Sequence, residues 1–141
     1  MRQRHGKVYE GPFKDDVFDG LGKLTIPNKR LTFEGKFENG ISTDQGKITY
    51  FNGEVYEGQI SNEFERHGKG KHTFENGNEY EGDFFCDEIS GKGQMKYKNG
   101  DIYKGDFLRG LRHGEGWMFY EENKRIYEGG WREDKREGDG V

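Results

Sequence analysis

Apolar side chains alternate with polar ones in short runs along the chain. Tyr80 and Phe84 flank Gly82 with Glu81 and Asp83 between them, and Lys23-Leu24-Thr25-Ile26, Lys47-Ile48-Thr49-Tyr50 and Gln94-Met95-Lys96-Tyr97 keep the same period of two. Successive side chains of a strand point to opposite faces, so this period predicts half-buried β-strands. Asn52-Gly53, Asn76-Gly77 and Asn99-Gly100 punctuate the runs. Asn-Gly supplies the positive φ angles of a tight hairpin turn, so neighbouring runs are expected to pair antiparallel.

The runs belong to a longer period. An aromatic-Glu-Gly-x-apolar motif begins at Tyr9, Phe33, Tyr56, Tyr80, Tyr103 and Tyr127, at intervals of 24, 23, 24, 23 and 24 residues. A Gly-x-Gly or its remnant follows each: Gly20 and Gly22, Gly46 alone, Gly68 and Gly70, Gly91 and Gly93, Gly114 and Gly116, Gly138 and Gly140. Each repeat therefore reads strand, loop, strand. A fixed period of this length signals an array whose units stack on their neighbours. The aromatic rings are expected to lie over the motif glycines, because a strand glycine is tolerated where something approaches closely. The opposite face should carry a charge ladder, with Glu10, Glu34, Glu57, Glu81 and Glu128 on first strands and Lys23, Lys47, Lys71 and Lys96 on second strands.

On these motifs the chain resembles the MORN (membrane occupation and recognition nexus) repeat, from Tyr9 to Val141, after a lead-in of residues 1–8. The expected fold is all-β: an elongated, single-layer, twisted antiparallel sheet of stacked β-hairpins in six copies, the last incomplete at Val141 and leaving an open sheet edge. Departures from the pattern are Lys104 in place of Glu, Asp44 in place of the first Gly of a Gly-x-Gly, and one extra residue among Glu63, Phe64 and Glu65. The resemblance implies a non-catalytic scaffold that binds protein partners in a cytoskeletal assembly, with a ciliary axoneme as the leading setting, and it implies self-association in some members. Two alternatives stand beside it: a membrane-tethering adaptor that binds anionic phospholipid head groups, and a regulatory partner of an enzyme in another chain.

Composition supports strands and turns. The 141 residues include 24 Gly, 11 Phe, 8 Tyr and 2 Trp but no Ala, a poor mixture for helices. Lys plus Arg (23) nearly balance Asp plus Glu (27), which removes the basic footprint of a nucleic-acid binder. The single cysteine, Cys86, has no intrachain partner and reads as a passive thiol; with no apolar run after Met1 and no N-glycosylation acceptor, the expectation is a cytoplasmic protein.

Candidate chemistry is sparse. The Gly-x-Gly series lacks the third glycine and following helix of a dinucleotide fingerprint, and in Gly68-Lys69-Gly70-Lys71-His72-Thr73 a histidine stands where a phosphate loop needs Ser or Thr. Val17 and Ile26 spoil a calcium loop at Asp15 to Asp19. His67 and His113 recur by repeat position and read as turn or loop residues, and with His5 and His72 they suggest no shared metal. No cofactor or catalytic group is expected, and a sheet one layer thick is expected to offer surfaces and no pocket.

Deviations from the repeat mark the candidate sites. Trp117 and Phe119 replace the Lys and Thr found at Lys23 and Thr25 or at Lys47 and Thr49, so the second strand of the fifth copy is apolar on both faces. They are the expected anchors for a protein partner or a second copy of the chain, or else they pack locally. Phe51 and Phe85 are further partner-binding candidates, and Phe18 and Phe64 are similar extras at loop or outward positions. Residues 34 to 91 carry 5 basic and 13 acidic groups, whereas Lys96, Lys98 and Lys104 form the expected contact for an acidic tail or a lipid head group.

Overall fold

The computed structural model describes residues 7–39, 41–61 and 63–137, with the backbone alone for Val17, Phe18, Ser42 and Asp44. His5, Gly40 and the Gly138 to Val141 segment of the sixth copy lie outside the described residues. The elements are β1 (Val8–Glu10), β2 (Phe13–Lys14), β3 (Val17–Phe18), β4 (Gly20–Ile26), a 3-10 turn (Pro27–Lys29), β5 (Leu31–Glu38), β6 (Ile41–Tyr50), β7 (Val55–Ile60), β8 (Arg66–Thr73), β9 (Glu79–Phe85), β10 (Glu88–Lys96), β11 (Ile102–Leu108), β12 (Leu111–Tyr120), β13 (Arg125–Arg132) and β14 (Lys135–Glu137). Twelve of them form one open antiparallel sheet in the order β1-β4-β5-β6-β7-β8-β9-β10-β11-β12-β13-β14. At about 4.8 Å between strands, the sheet is about 53 Å across.

The register places a glycine at the same level of ten consecutive strands. Gly22 pairs with Gly35, and the line continues through Gly46, Gly58, Gly70, Gly82, Gly93, Gly105 and Gly116 to Gly129. Aromatic rings cover it, as the repeat predicts. A Cβ built on Gly93 would lie 2.5 Å from Cζ of Tyr80, and one on Gly116 at the same distance from Cζ of Tyr103.

On this ring face a second line runs Tyr9, Leu24, Phe33, Ile48, Tyr56, His72, Tyr80, Met95, Tyr103, Met118, Tyr127. The rings interlock edge to face along it. Tyr80 meets Phe84 and Phe107 at 5.1 and 5.2 Å, and Tyr103 meets Phe107 and Trp131 at 5.0 and 5.3 Å. Such pairs contribute roughly 0.5–1.5 kcal/mol each beyond area burial, so the zipper links every repeat to the next. In the third copy Ile60 takes the place of the second ring. Phe64, expected at a loop or outward position, lies in the loop between β7 and β8, and its ring packs on Phe33 at 5.2 Å.

Tyrosine at the motif's first position has a second cause. The two strands within a repeat slip just after the motif glycine, at Gly35, Gly58, Gly82 and Gly105, and leave the following carbonyl outside the regular ladder. The hydroxyls of Tyr80, Tyr103 and Tyr127 donate to the carbonyls three residues on, Asp83, Asp106 and Gly130, at 2.9, 2.8 and 3.0 Å. In the first copy Pro12 cannot donate to a ladder; the strand stops at Glu10, and the Pro12 carbonyl accepts from the Tyr9 hydroxyl at 2.9 Å.

Two sequence expectations change. The Asn-Gly sites are not two-residue turns: at Asn52-Gly53 only the glycine is left-handed, with φ of 95°. Both-residue left-handed turns occur instead at Cys86-Asp87, with φ of 47° and 69°, and at Glu133-Asp134, with 48° and 72°, as a type I′ hairpin requires. His67 and His113 lie in β8 and β12, not in loops.

Candidate functional surfaces

The ring face carries two open clefts built on the same Arg–Asp pair, where a single layer was expected to offer surfaces and no pocket. One, of about 340 Å³, is lined by Arg66, Phe74, Asp87, Ile89 and Met95 among others. The other, of about 500 Å³, is lined by Arg112, Tyr97, Met118, Tyr120, Trp131 and Asp134 among others. Their arginines occupy the same position in β8 and β12, four strands or about 19 Å apart.

Each arginine is clamped to the next hairpin turn. Arg112 Nε donates to Asp134 Oδ1 at 2.6 Å and Nη2 to the Asp134 carbonyl at 2.9 Å, while the backbone N–H of Arg112 also reaches Asp134 Oδ1 at 3.2 Å. Its guanidinium sits 4.5 Å over the Trp131 ring. Arg66 repeats the contact through Asp87, with Nε on Oδ1 at 2.9 Å and a further bond to the Asp87 carbonyl. The Asp-for-carbonyl fork explains why the turn tolerates left-handed Asp87 and Asp134. The recurring Arg-His-Gly tripeptides at 66–68 and 112–114 carry a signal for these clamps; reading it through the histidines alone missed the arginines.

His72 is the buried polar exception in the central line, 1% exposed where other copies hold Leu24, Ile48, Met95 and Met118. The Arg66 guanidinium is donor-only, so His72 Nδ1 accepts from Arg66 Nη1 at 3.3 Å and Nε2–H donates to Glu54 Oε1 at 2.9 Å. Burial holds the imidazole pKa below its usual value, against the pull of the Glu54 hydrogen bond. Burial opposes ionisation of Glu54 as well, but hydrogen bonds from His72 and the Glu75 N–H leave its carboxyl below the ordinary range. Burial pushes the Tyr50 hydroxyl up to about 12, and that hydroxyl and Trp131 Nε1 are buried without a hydrogen-bond partner.

The outer face carries the predicted charge ladder. Glu10, Lys23, Glu34, Lys47, Glu57, Lys71 and Glu81 face one another across successive strands. The next members are Gln94, Lys104, Trp117 and Glu128, so Gln94 and not Lys96 continues the lysine positions. Asp83 and Asp106, one residue past the motif glycines, serve the slipped pairing: their carboxylates accept the N–H groups of Lys92 and Glu115 at 3.0 and 3.1 Å. Lys69 holds the Asp83 carboxyl below its ordinary range, and Lys92, 2.7 Å from Asp106, does the same there.

The candidate partner residues fall in three places. Trp117 and Phe119 stack on each other, with centroids 6.5 Å apart and planes at 15°. Phe85 is exposed beside the Cys86-Asp87 turn with His67 at 5.5 Å, and Phe51 is exposed in the β6–β7 turn with Arg30 at 5.9 Å. The three lysines also separate. Lys104 Nζ lies 5.5 Å over Trp117, Lys96 pairs in register with Glu79 and Ile102, and Lys98 lies beyond the end of β10 beside the Gly77 turn. Among the described residues no group of three or more His, Cys, Asp and Glu side chains could hold a metal ion, and no helix is long and apolar enough to cross a membrane.

This geometry defines the class: an open β-repeat array with its chemistry spread over two faces. The MORN repeat family model matches residues 9–29, 65–79, 80–102, 103–124 and 127–141, and the chain belongs to that family. The stretch from 30 to 64, which that match omits, contains Phe33, Asp44 and the extra residue near Phe64, yet its strands keep the common register. Alsin of Rattus norvegicus is 42% identical over 67 residues, 45% of this chain and 4% of Alsin; human Alsin is 39% identical over the same length. The chain thus spans a small fraction of these relatives. MORN repeats are non-catalytic modules for protein and membrane interaction.

Proposed function

We propose that this chain is a scaffold that holds protein partners in a cytoskeletal assembly, with a ciliary axoneme as its leading setting. The observation that carries the reading is the repetition of one Arg–Asp clamp, each beside an open cleft, at Arg66 and Arg112. Two such clamps about 19 Å apart suit one segment lying across the strands, about six residues if extended or about thirteen if helical. The cytoskeletal setting rests on the family resemblance.

Affinity purification of the tagged chain from ciliated cells, with identification of the bound polypeptides, tests the reading. Cytoskeletal subunits should be recovered and lost with Arg66→Ala and Arg112→Ala together. Recovery of membrane lipid or of an enzyme without cytoskeletal subunits would overturn it. The lipid alternative has weaker support, because Lys98 lies apart from Lys96 and Lys104, beyond the end of β10, and residues 34 to 91 are acidic.

A further inference from the structure

The outer face changes character at one end of the sheet. Through the first seven ladder positions, from Glu10 to Glu81, charge alternates strand by strand. The neighbouring line on that face is Thr25, Thr32, Thr49, Val55, Thr73 and Glu79. In β10 to β13 the two lines become Gln94, Lys104, Trp117, Glu128 and Lys96, Ile102, Phe119, Ile126. The ring face runs unchanged behind them, with Tyr103, Met118 and Tyr127 buried and Gly105, Gly116 and Gly129 in line. The departures therefore build nothing in the core. They replace charge pairs worth roughly 0.2–1 kcal/mol each with a solvent-facing apolar cluster.

We propose that Trp117, Phe119, Ile102 and Ile126 form a docking surface for an acidic protein segment with one or two apolar anchors, whose carboxylates are received by Lys104 and Lys96. This deepens the scaffold reading and rests on it. The cluster spans β11 to β13, about 10 Å, room for about three extended residues. Ile126 is half exposed, and the stacked Trp117 and Phe119 are partly covered. A ladder Glu at position 104 would repel an acidic segment; Lys104 reverses that charge and stands over the indole, where a cation is held at the rim of the apolar surface. Lys124 lies 6.0 Å over Phe119 but is bonded to Glu121, and Glu128 faces Trp117 in register, so Lys104 and Lys96 carry the complementarity. An anionic bilayer fits less well, since Glu57 and Glu81 share this face and residues 34 to 91 are acidic.

A display library of random peptides of about 12 residues, panned on the immobilised full chain, tests the proposal. Enriched sequences should place Asp or Glu beside an aromatic or aliphatic residue. A synthetic peptide of that kind should lose about tenfold or more in affinity for Trp117→Lys/Phe119→Thr, weaken for Lys104→Glu, and weaken as salt rises. These substitutions install the residues found at the same positions in other copies, so the fold should be kept; a melting curve checks it, and Lys104→Glu with Phe119→Thr singly read the same loss if the double variant unfolds. Trp131 is buried, so bound peptide should also shield Trp117 from acrylamide quenching.

The proposal is overturned if no acidic-apolar class is enriched or if its binding ignores these substitutions. Sedimentation showing a dimer that Trp117→Lys/Phe119→Thr dissolves would assign the patch to a second copy, and binding to phosphatidylserine vesicles lost in that variant, without peptide binding, would assign it to a membrane. Peptides that depend on Arg66 and Arg112 alone would remove this site and leave the ring-face scaffold standing.

Discussion

The Tyr103 hydroxyl donates to the Asp106 carbonyl at 2.8 Å while its ring covers Gly116 on the neighbouring strand. One side chain thus closes the slipped pairing and fills the space above the glycine line. Tyr103→Phe keeps the ring and removes the donor, leaving a carbonyl short of its partner. We expect a loss of about 1 kcal/mol in urea denaturation; Phe33 shows that the ring alone is compatible with the fold.

Glycine serves two purposes that substitution should separate. A methyl group at Gly116 meets the Tyr103 ring, so Gly116→Ala should cost about 1–3 kcal/mol through overpacking. At Gly53 a methyl group meets nothing within 4 Å, but φ is 95°, so Gly53→Ala should cost about 1 kcal/mol through backbone strain. Combining Gly116→Ala with Tyr103→Leu should recover part of the first loss and none of the second, read from denaturation midpoints.

His72 makes stability depend on pH. Its folded pKa is lowered, chiefly by burial, so the unfolded chain takes up a proton first as pH falls. Stability is full above the unfolded value of about 6.5 and declines as pH drops through it towards the folded value. The lowered carboxyls of Glu54, Asp83 and Asp106 add their own loss at more acidic pH, below the ordinary carboxylate range. His72→Met, which copies Met95 and Met118, should flatten the Tm profile between about pH 7 and 5. An unchanged slope would assign that dependence elsewhere.

Asp134→Ala should destabilise the β13–β14 turn by about 2 kcal/mol, because Arg112 remains largely covered without its carboxylate. Amide exchange should accelerate at Arg112 and within β14. Asp87→Ala should do the same at Arg66, with an added effect on His72, which Arg66 also contacts.

The repeat positions of strands and both faces were legible because two periods coincide: alternation assigns Tyr80 and Phe84 to one face, and the 23- or 24-residue step carries that assignment to every copy. Glycines under rings followed from the same logic. The Cys86-Asp87 turn was not legible, since neither residue is Gly or Asn, and its left-handed geometry is held by Arg66, 21 residues earlier in the chain. His72 escaped for a related reason. The repeat step puts His72 level with Leu24, Ile48, Met95 and Met118, but its polar partners were not legible: Glu54 sits just before β7 and Arg66 at the other end of β8. Phe64 is legible as a loop residue because an insertion breaks alternation there, but its packing on Phe33 of the preceding repeat is not.

The strand order of the large sheet also has a kinetic meaning. Apart from the small β2–β3 ribbon, every strand pairs with its predecessor and successor in the chain. No pairing waits for a distant segment, so loop-closure entropy stays small at each step, unusually so for an all-β protein. Hairpins can form in the order in which they leave the ribosome, each completed strand offering its free edge as the template for the next.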